Sequence, residues 1–182
     1  MNLIEMTNYL ALIINITNIV VHLILLLFLI DLARADSYNK IARVLKIILY
    51  PFLLILNIYY KRVNIGLLFA ALLVNGLTWY FLLPGFSLGT IINNAFIQTV
   101  GFLIGILKFV IIAGVVLSWL YSFGARFYNS LTSLIQELYE STVSIFRNVI
   151  PPAGGFDLSP LVAIFVLQLA ERVLTILKDY MG

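Results

Sequence analysis

Two ionisable residues, Lys108 and Glu171, lie within strongly apolar segments and are the side chains of this sequence best placed to do chemistry. Each is about eleven residues into its segment, which at roughly 1.5 Å of helix rise per residue is near the centre of a bilayer. An isolated charge at that depth is costly, so we expect the two residues to pair. The pair could belong to an ion pathway, or it could be a structural contact without a role in transport.

Other polar side chains recur at helical spacing in the same apolar segments, so each segment would present one polar face. They are Asn15, Asn18 and His22 in the first, Asn75 and Thr78 in the second, Gln98 and Lys108 in the third, and Gln168, Glu171 and Thr175 in the fourth. One interpretation is a hydrated, ion-conducting interior. The other, which we favour because amides outnumber ionisable groups, is hydrogen bonding that holds a helix bundle together.

Gly101 and Gly105 share a helical face with Lys108. This GxxxG spacing lets a second helix approach closely, either within one bundle or between two chains.

His22 is the only histidine, and nothing else in the chain supports a haem-ligand role for it. We expect it to be a hydrogen-bonded packing residue.

The sequence lacks the patterns that characterise enzyme sites. It contains no nucleophile elbow, HExxH pair, P-loop or dinucleotide fingerprint. The absence of cysteine excludes disulfides, iron–sulfur ligation and c-type haem attachment by this chain, and a single histidine argues against a transition-metal site. We therefore expect a protein that is not an enzyme, has no cofactor and does not bind nucleic acid.

Composition places the chain in a membrane. Of its 182 residues, 63% are hydrophobic and 10% are charged, which leaves too few polar residues to cover a water-soluble domain.

The apolar segment 9–30 is longer than the apolar core of a signal peptide, and the residues before it include Glu5 and no Lys or Arg. We therefore interpret this segment as a membrane span.

Four segments have the roughly 20 mostly apolar residues that a spanning helix needs. They are 9–30, 64–83, 95–119 and 160–178. The uncharged segment 84–94, with Pro84 and Gly85 near its start, is predicted to be a short hairpin between the second and third spans. Trp79 and Tyr80 precede it and are expected at the membrane interface.

Two amphipathic helices are predicted between the spans, at 37–57 and 129–147. The first carries three cations on its polar face: Lys40, Arg43 and Lys46. The second has an acidic polar face. Each would lie in the plane of the interface. The alternative is a fifth span over 41–60, which would carry two of these cations into the bilayer at a cost of a few kcal/mol each.

The resulting fold is an all-α membrane protein with four transmembrane helices in two parallel repeats, 1–94 and 95–182, each with an in-plane amphipathic helix. Both amphipathic helices then lie on one side of the membrane and both termini on the other. The first side carries Arg34, Lys40, Arg43, Lys46, Lys61, Arg62, Arg126 and Arg147, against Lys178 on the second. Because Lys and Arg favour the cytoplasm, the sequence predicts a multi-pass protein of the bacterial inner membrane with its termini outside.

A polar turn over 148–159, between the second amphipathic helix and the fourth span, contains most of the sequence IPPAGGFDLSP. Its prolines fix the exit from the helix, its glycines permit backbone angles that other residues resist, and Asp157 can cap the span. The turn residues are Pro151, Gly154, Gly155, Asp157, Ser159 and Pro160. Arg147 could pair with Asp157 or, like Lys40, Arg43 and Lys46, bind an anionic lipid head group.

This turn, between an amphipathic segment and an apolar helix, resembles the signature of the YggT family of small integral membrane proteins. The resemblance extends upstream through Ser118 and Trp119. In the first half, the sequence SYNK at 37–40 is similar to the D-x-x-N-P start of the family unit. Lys40 and Ser130 stand where the family pattern has proline, Ser141 stands where it has another, and the first half lacks the turn.

The resemblance implies a part in organising or assembling membrane complexes, including division-linked and photosynthetic cytochrome systems. For some bacterial members it implies osmotic or ion homeostasis. We therefore expect a non-catalytic scaffold or accessory subunit of a membrane complex, and the alternative is a small ion or solute channel or transporter component. The expected partners are anionic lipids and either other membrane proteins or further copies of the chain.

Overall fold

The structure is a computed structural model that describes residues 3–35, 39–61, 63–82, 85–147 and 157–181. These residues form the helices α1 (Leu3–Ala33), α2 (Lys40–Ile48), α3 (Tyr50–Leu56), α4 (Ile65–Leu82), α5 (Leu88–Ser122), α6 (Ser130–Arg147) and α7 (Ser159–Met181). Two short antiparallel strands, β1 (Tyr59–Tyr60) and β2 (Val63–Asn64), lie between α3 and α4. The sequence did not predict these strands.

Four helices are long and apolar enough to cross a membrane: α1, α4, α5 and α7. The chain is thus a largely helical, multi-pass membrane protein, as its composition predicts. The helices α2 and α3 have nine and seven residues, fewer than the roughly 20 that a span requires. Residues 41–60 therefore do not form a fifth spanning helix.

The hairpin predicted over 84–94 is wrong for most of its length, because α5 begins at Leu88. Ser87 is extended, and its hydroxyl accepts the N–H of Thr90 at 3.2 Å, which caps the helix. Ile91 and Ala95 are buried, so the first turns of α5 already have a packing surface. The turn itself is short and contains Gly85 at a φ of 106°, a conformation that glycine adopts readily.

The first amphipathic segment, predicted as one helix over 37–57, is divided into α2 and α3 at Leu49. Leu49 leaves helical geometry, with φ −91° and ψ 10°. Pro51, in the first turn of α3, has no N–H to donate to the preceding turn, so it starts a new helix instead of continuing the old one. The second amphipathic segment is the single helix α6.

The core lies at the end of the bundle that carries α2 and α6. The C-terminal half of α1 is its centre, since Val21, Ile24 and Leu25 are fully buried, whereas Tyr9 and Leu12 in the N-terminal half are more than half exposed. The helices α2, α4, α5 and α6 surround it with Ala42, Leu45, Leu67, Ala70, Ala71, Val110, Ile111, Leu134, Leu138 and Val143. Much of the apolar face of α6 thus packs on the spans.

Gly114 permits a close approach between α5 and α6. A Cβ atom at this position would lie 2.3 Å from Cγ of Tyr139, whose side chain is itself buried. The ring of Tyr139 therefore packs directly on the bare backbone of α5.

We expect Gly114→Ala to lower the free energy of unfolding by about 1–3 kcal/mol, because α6 must move to admit the methyl group. Gly76→Ala is the matched control in a spanning helix, since its Cβ would lie in ordinary contact, 3.8 Å from Ala95. That variant should be neutral or slightly more stable, because alanine favours helix over glycine. Thermal unfolding in mild detergent compares the two, and equal melting temperatures would contradict the close contact.

Candidate functional site: polar contacts between the spans

The structure brings Lys108 of α5 and Glu171 of α7 together. The Nζ atom of Lys108 donates to Oε2 of Glu171 at 2.6 Å. The two side chains are 25% and 49% exposed, so the pair lies at the surface of the bundle and not in its core. An ion pair in this position is accessible to the lipid or protein that surrounds the spans.

A second polar contact links α1, α4 and α5 through Gln98. Its Oε1 accepts the indole N–H of Trp79 at 2.7 Å, and its Nε2 donates to Oδ1 of Asn18 at 3.2 Å. Trp79, expected at the membrane interface, is half-buried and hydrogen-bonded to another span. The side-chain amide of Gln98 thus fixes the register of three helices at one point.

Two more hydrogen bonds join the same helices. Nδ2 of Asn75 donates to Oγ1 of Thr99 at 2.7 Å, and both residues are buried. The hydroxyl of Thr78 donates to Oγ1 of Thr17 at 3.2 Å. Sequence reasoning missed Thr17 and Thr99, although each is adjacent to a polar residue that it did select.

The remaining polar residues of the spans do not join these contacts. His22 places Nδ1 2.7 Å from the carbonyl oxygen of Asn18, stacks on Phe102 at 4.3 Å between ring centroids, and is otherwise exposed. Asn15 and Gln168 are exposed, and Thr175 bonds only within its own helix, to the carbonyl of Glu171. Gln98 and Lys108 are ten positions apart on α5, about 15 Å along a helix axis, so the polar residues form separate contacts.

A cluster of charges connects the end of α6 to the start of α7. Arg147 donates through Nε to Oδ2 of Asp157 at 2.7 Å and through Nη1 to Oε2 of Glu140. Oδ1 of Asp157 accepts the N–H of Ser159 at 2.9 Å, which caps α7. Of the two roles considered for Arg147, the structure therefore contains the ion pair with Asp157. The turn residues Pro151, Gly154 and Gly155 lie outside the described residues, and Ser159 and Pro160 are buried.

This environment shifts two pKa values. Burial acts to raise the pKa of Asp157, but hydrogen bonds from Ser159 and Arg147 outweigh it, so the pKa lies below its usual value. Hydrogen bonds to Glu140 and Asp157 raise the pKa of Arg147. The Arg147–Asp157 ion pair is therefore charged at neutral pH.

The cations of α2 are exposed, as a lipid-binding role requires, but Lys46 has an anion nearby. Lys40, Arg43 and Lys46 all reach solvent or lipid. Lys46 also lines a pocket of about 190 Å³ with Asp31 and Tyr59. Within the described part of the chain Oδ2 of Asp31 is buried without a hydrogen-bond partner. Burial, followed by the hydrogen bond to Asp31, raises the pKa of Tyr59.

Comparison with known proteins finds a match to a family model in the second half of the chain. Residues 93–177 match the CCB3/YggT family model. The matched region contains most of α5, all of α6 and most of α7, and it includes Lys108, Glu171 and the charges around Arg147. The first half lies outside this match.

Two curated relatives are similar to the chain. The uncharacterized protein PA0392 of Pseudomonas aeruginosa is 27% identical over 161 residues, which are 83% of this chain and 80% of the relative. The YlmG homolog protein 2, chloroplastic, of Arabidopsis thaliana is 34% identical over 87 residues, which are 47% of this chain and 32% of the relative. No solved structure matches the chain.

The Lys108–Glu171 contact predicts an unequal effect of single and double substitutions. Lys108→Met leaves the Glu171 carboxylate in an apolar segment without its partner, and an unpaired charge at the helix centre costs up to about 3 kcal/mol. Lys108→Met combined with Glu171→Leu removes both charges and should be the more stable of the two variants. Folded yield and thermal stability in detergent measure the difference, and a double variant worse than the single one would show that the ion pair itself stabilises the fold.

The charges at the α6–α7 junction predict a pH dependence. Because the pKa of Asp157 is lowered in the folded state, its contribution to stability is complete above about pH 4, the ordinary value for aspartate, and is lost as the pH falls further. A fluorophore on Leu158→Cys, in a chain that has no other cysteine, should report this loosening below pH 4. The same label in Asp157→Asn should report no such transition, and a transition that persists in this control would assign it to another group.

Proposed function

We propose that the whole chain is a YggT family protein built from two tandem repeats, 1–94 and 95–182. Each half has the order span, amphipathic segment, span. Asn39 accepts the N–H of Ile41 at 2.9 Å at the start of α2, and Asn129 accepts the N–H of Leu131 at 2.9 Å at the start of α6. These two caps stand one residue before Lys40 and Ser130, where the family pattern has proline.

The spacing of residues supports the repeat further. Asn18 precedes Asn39 by the same 21 positions that separate Lys108 from Asn129. Thr78 follows the Asn64 that caps α4 by 14 positions, as Glu171 follows Asp157. The Thr17–Thr78 hydrogen bond between α1 and α4 thus corresponds, within one position, to the Lys108–Glu171 pair between α5 and α7.

The membrane orientation belongs to the same proposal. The chain resides in the bacterial inner membrane, with α2 and α6 on the cytoplasmic side and both termini outside, because Lys and Arg concentrate on the α2 and α6 side. Lys40, Arg43 and Lys46 then meet the head groups of anionic lipids, at about 1 kcal/mol per cation near the surface. Arg147 is held by two carboxylates and contributes less to this binding.

The function that the polar contacts support best is that of a non-catalytic scaffold or assembly subunit of a membrane complex. The observation that carries it is the pairing of Gln98 with both Trp79 and Asn18. A hydrated pathway needs polar groups that face water, whereas here the side chains of Asn18, Asn75 and Gln98 bond to groups on neighbouring helices and hold those helices together. This is consistent with the complex-assembly roles that the YggT resemblance implies.

A second function, a small ion or solute channel or transporter component, is favoured by one observation. The Lys108–Glu171 pair is partly exposed within the spans, and ionisable groups in spans often mark a transport path. Under this alternative the pair would lie beside a path formed together with a partner.

Cross-linking in intact cells tests the scaffold. A photo-crosslinking amino acid in place of Lys46 or Glu137 should capture a specific membrane protein at the cytoplasmic face. The same residue in place of Phe86, which is exposed in the turn between α4 and α5 on the other side, is the control and should not capture it. Co-purification of that protein in mild detergent should agree.

Ion flux into proteoliposomes that contain this chain alone tests the alternative. A scaffold should give no flux above that of empty liposomes. Flux that disappears in the Lys108→Met and Glu171→Leu double variant, with folding unchanged, would favour transport and contradict the scaffold.

A further inference from the structure

The helix α7 lies at the edge of the bundle. It packs against α5 and α6, and only 11% of its most apolar 18-residue stretch is buried. Its open surface is not purely apolar, because Gln168 and Glu171 are exposed on it. A surface that faces lipid alone offers no hydrogen-bond partner to the amide of Gln168.

The adjoining surface of α5 is also open. Gly101, Gly105, Lys108 and Ile112 recur at the spacing of one helical face. No atom of the described residues lies within 4 Å of a Cβ built at Gly101 or Gly105, and Ile112 is 53% exposed. The closely approaching helix that the sequence led us to expect at these glycines is therefore not within the described part of this chain.

The Lys108–Glu171 ion pair joins these two open surfaces into one. We call it the α5–α7 face and define it as Gly101, Gly105, Lys108 and Ile112 of α5 with Gln168 and Glu171 of α7. It combines small residues, which allow close contact, with the side chains of Lys108 and Glu171, which are 25% and 49% exposed.

The corresponding contact in the first half is covered by a third helix of the same chain. Between α1 and α4, the hydroxyls of Thr17 and Thr78 meet at half-buried positions, and Gln98 of α5 bonds to the neighbouring Asn18. The polar contact between α5 and α7 receives no such third helix from the described residues. Charges that contact lipid at this depth are costly, so a covering surface is favoured.

We propose that the α5–α7 face binds a second copy of this chain, around a two-fold axis along the membrane normal that passes near Gly105. Two-fold contacts are self-complementary. Each copy brings one cation and one anion at the same depth, so the Lys108–Glu171 pair of each copy borders the contact between the two α5 helices, and the four charges balance. This inference stands independently of the scaffold proposal.

The charge balance of the face favours this occupant. A lipid acyl chain offers nothing to either charge, and an anionic head group would be repelled by Glu171. A second copy offers both charges at matching positions, and the open glycines let the two α5 helices approach closely, as small residues do in paired spans.

Disulfide cross-linking tests the proposal directly, because the chain contains no cysteine. Ile112→Cys in native membranes, oxidised with copper phenanthroline, should give a species of twice the chain mass. The control is Leu73→Cys, a position within the span α4 that is 41% exposed. We expect at least a tenfold higher dimer yield at Ile112→Cys than at Leu73→Cys.

Adding Gly105→Ile to the Ile112→Cys variant should reduce the yield to that of the control. A Cβ at this position lies more than 4 Å from every described atom outside the adjacent backbone of α5, so the helical content of the detergent-purified protein, measured by circular dichroism, should stay unchanged, which separates loss of pairing from loss of folding. Equal yields at Ile112→Cys and Leu73→Cys would overturn the proposal. So would cross-linking that survives Gly105→Ile, or an adduct with a different protein or lipid in place of the second copy.

Discussion

Side-chain amides within the spans need hydrogen-bond partners, and this requirement determines how α1, α4 and α5 meet. Between helices in a bilayer there is little hydrophobic driving force, because lipid tails are as apolar as leucine. Close packing and interhelical hydrogen bonds must then hold the bundle. Gln98 satisfies both polar ends of its amide with groups from two other helices, and Asn75 and Thr99 satisfy each other nearby. A slip of one residue in any of these helices would leave an amide unpaired.

Corresponding positions in the two halves of the chain make different kinds of polar contact between the spans. In the first half the polar contact between spans is made by uncharged hydroxyls and is partly covered by α5. In the second half the corresponding contact is made by Lys108 and Glu171 and lies on the surface. The second half is also the part that matches the family model. The half that matches the family model is therefore the one whose contact between spans presents charge to its surroundings.

The sequence predicted the features that depend on local composition. Four apolar segments became four long helices, and the period of α6 identified the Leu134 and Leu138 face that packs on the spans. Pairing of Lys108 with Glu171 followed from their equal depth. The division at Leu49 was missed because the period of the apolar face continues through Pro51, although the missing N–H of proline interrupts the helix there.

Features that depend on tertiary contacts could not be predicted in the same way. The partners of Asn75 and Gln98 are on other helices, and nothing in the spacing of one helix shows which hydroxyl or amide faces it. Thr17 and Thr99 therefore passed as ordinary residues of apolar helices. The early start of α5 likewise depends on the burial of Ile91 and Ala95 against neighbours, which a run containing Gly89 and two asparagines does not reveal.

The lengths of two neighbouring helices have a consequence for how this protein responds to its bilayer. With 35 and 18 residues, α5 and α4 rise about 52 Å and 27 Å, so one exceeds and the other barely reaches a hydrocarbon layer of about 30 Å. The longer helix must tilt or extend its ends among the head groups, while the shorter one requires the bilayer around it to become thinner. The length of the lipid acyl chains therefore changes the angle between α4 and α5, and with it the strain on the side-chain hydrogen bonds that connect them.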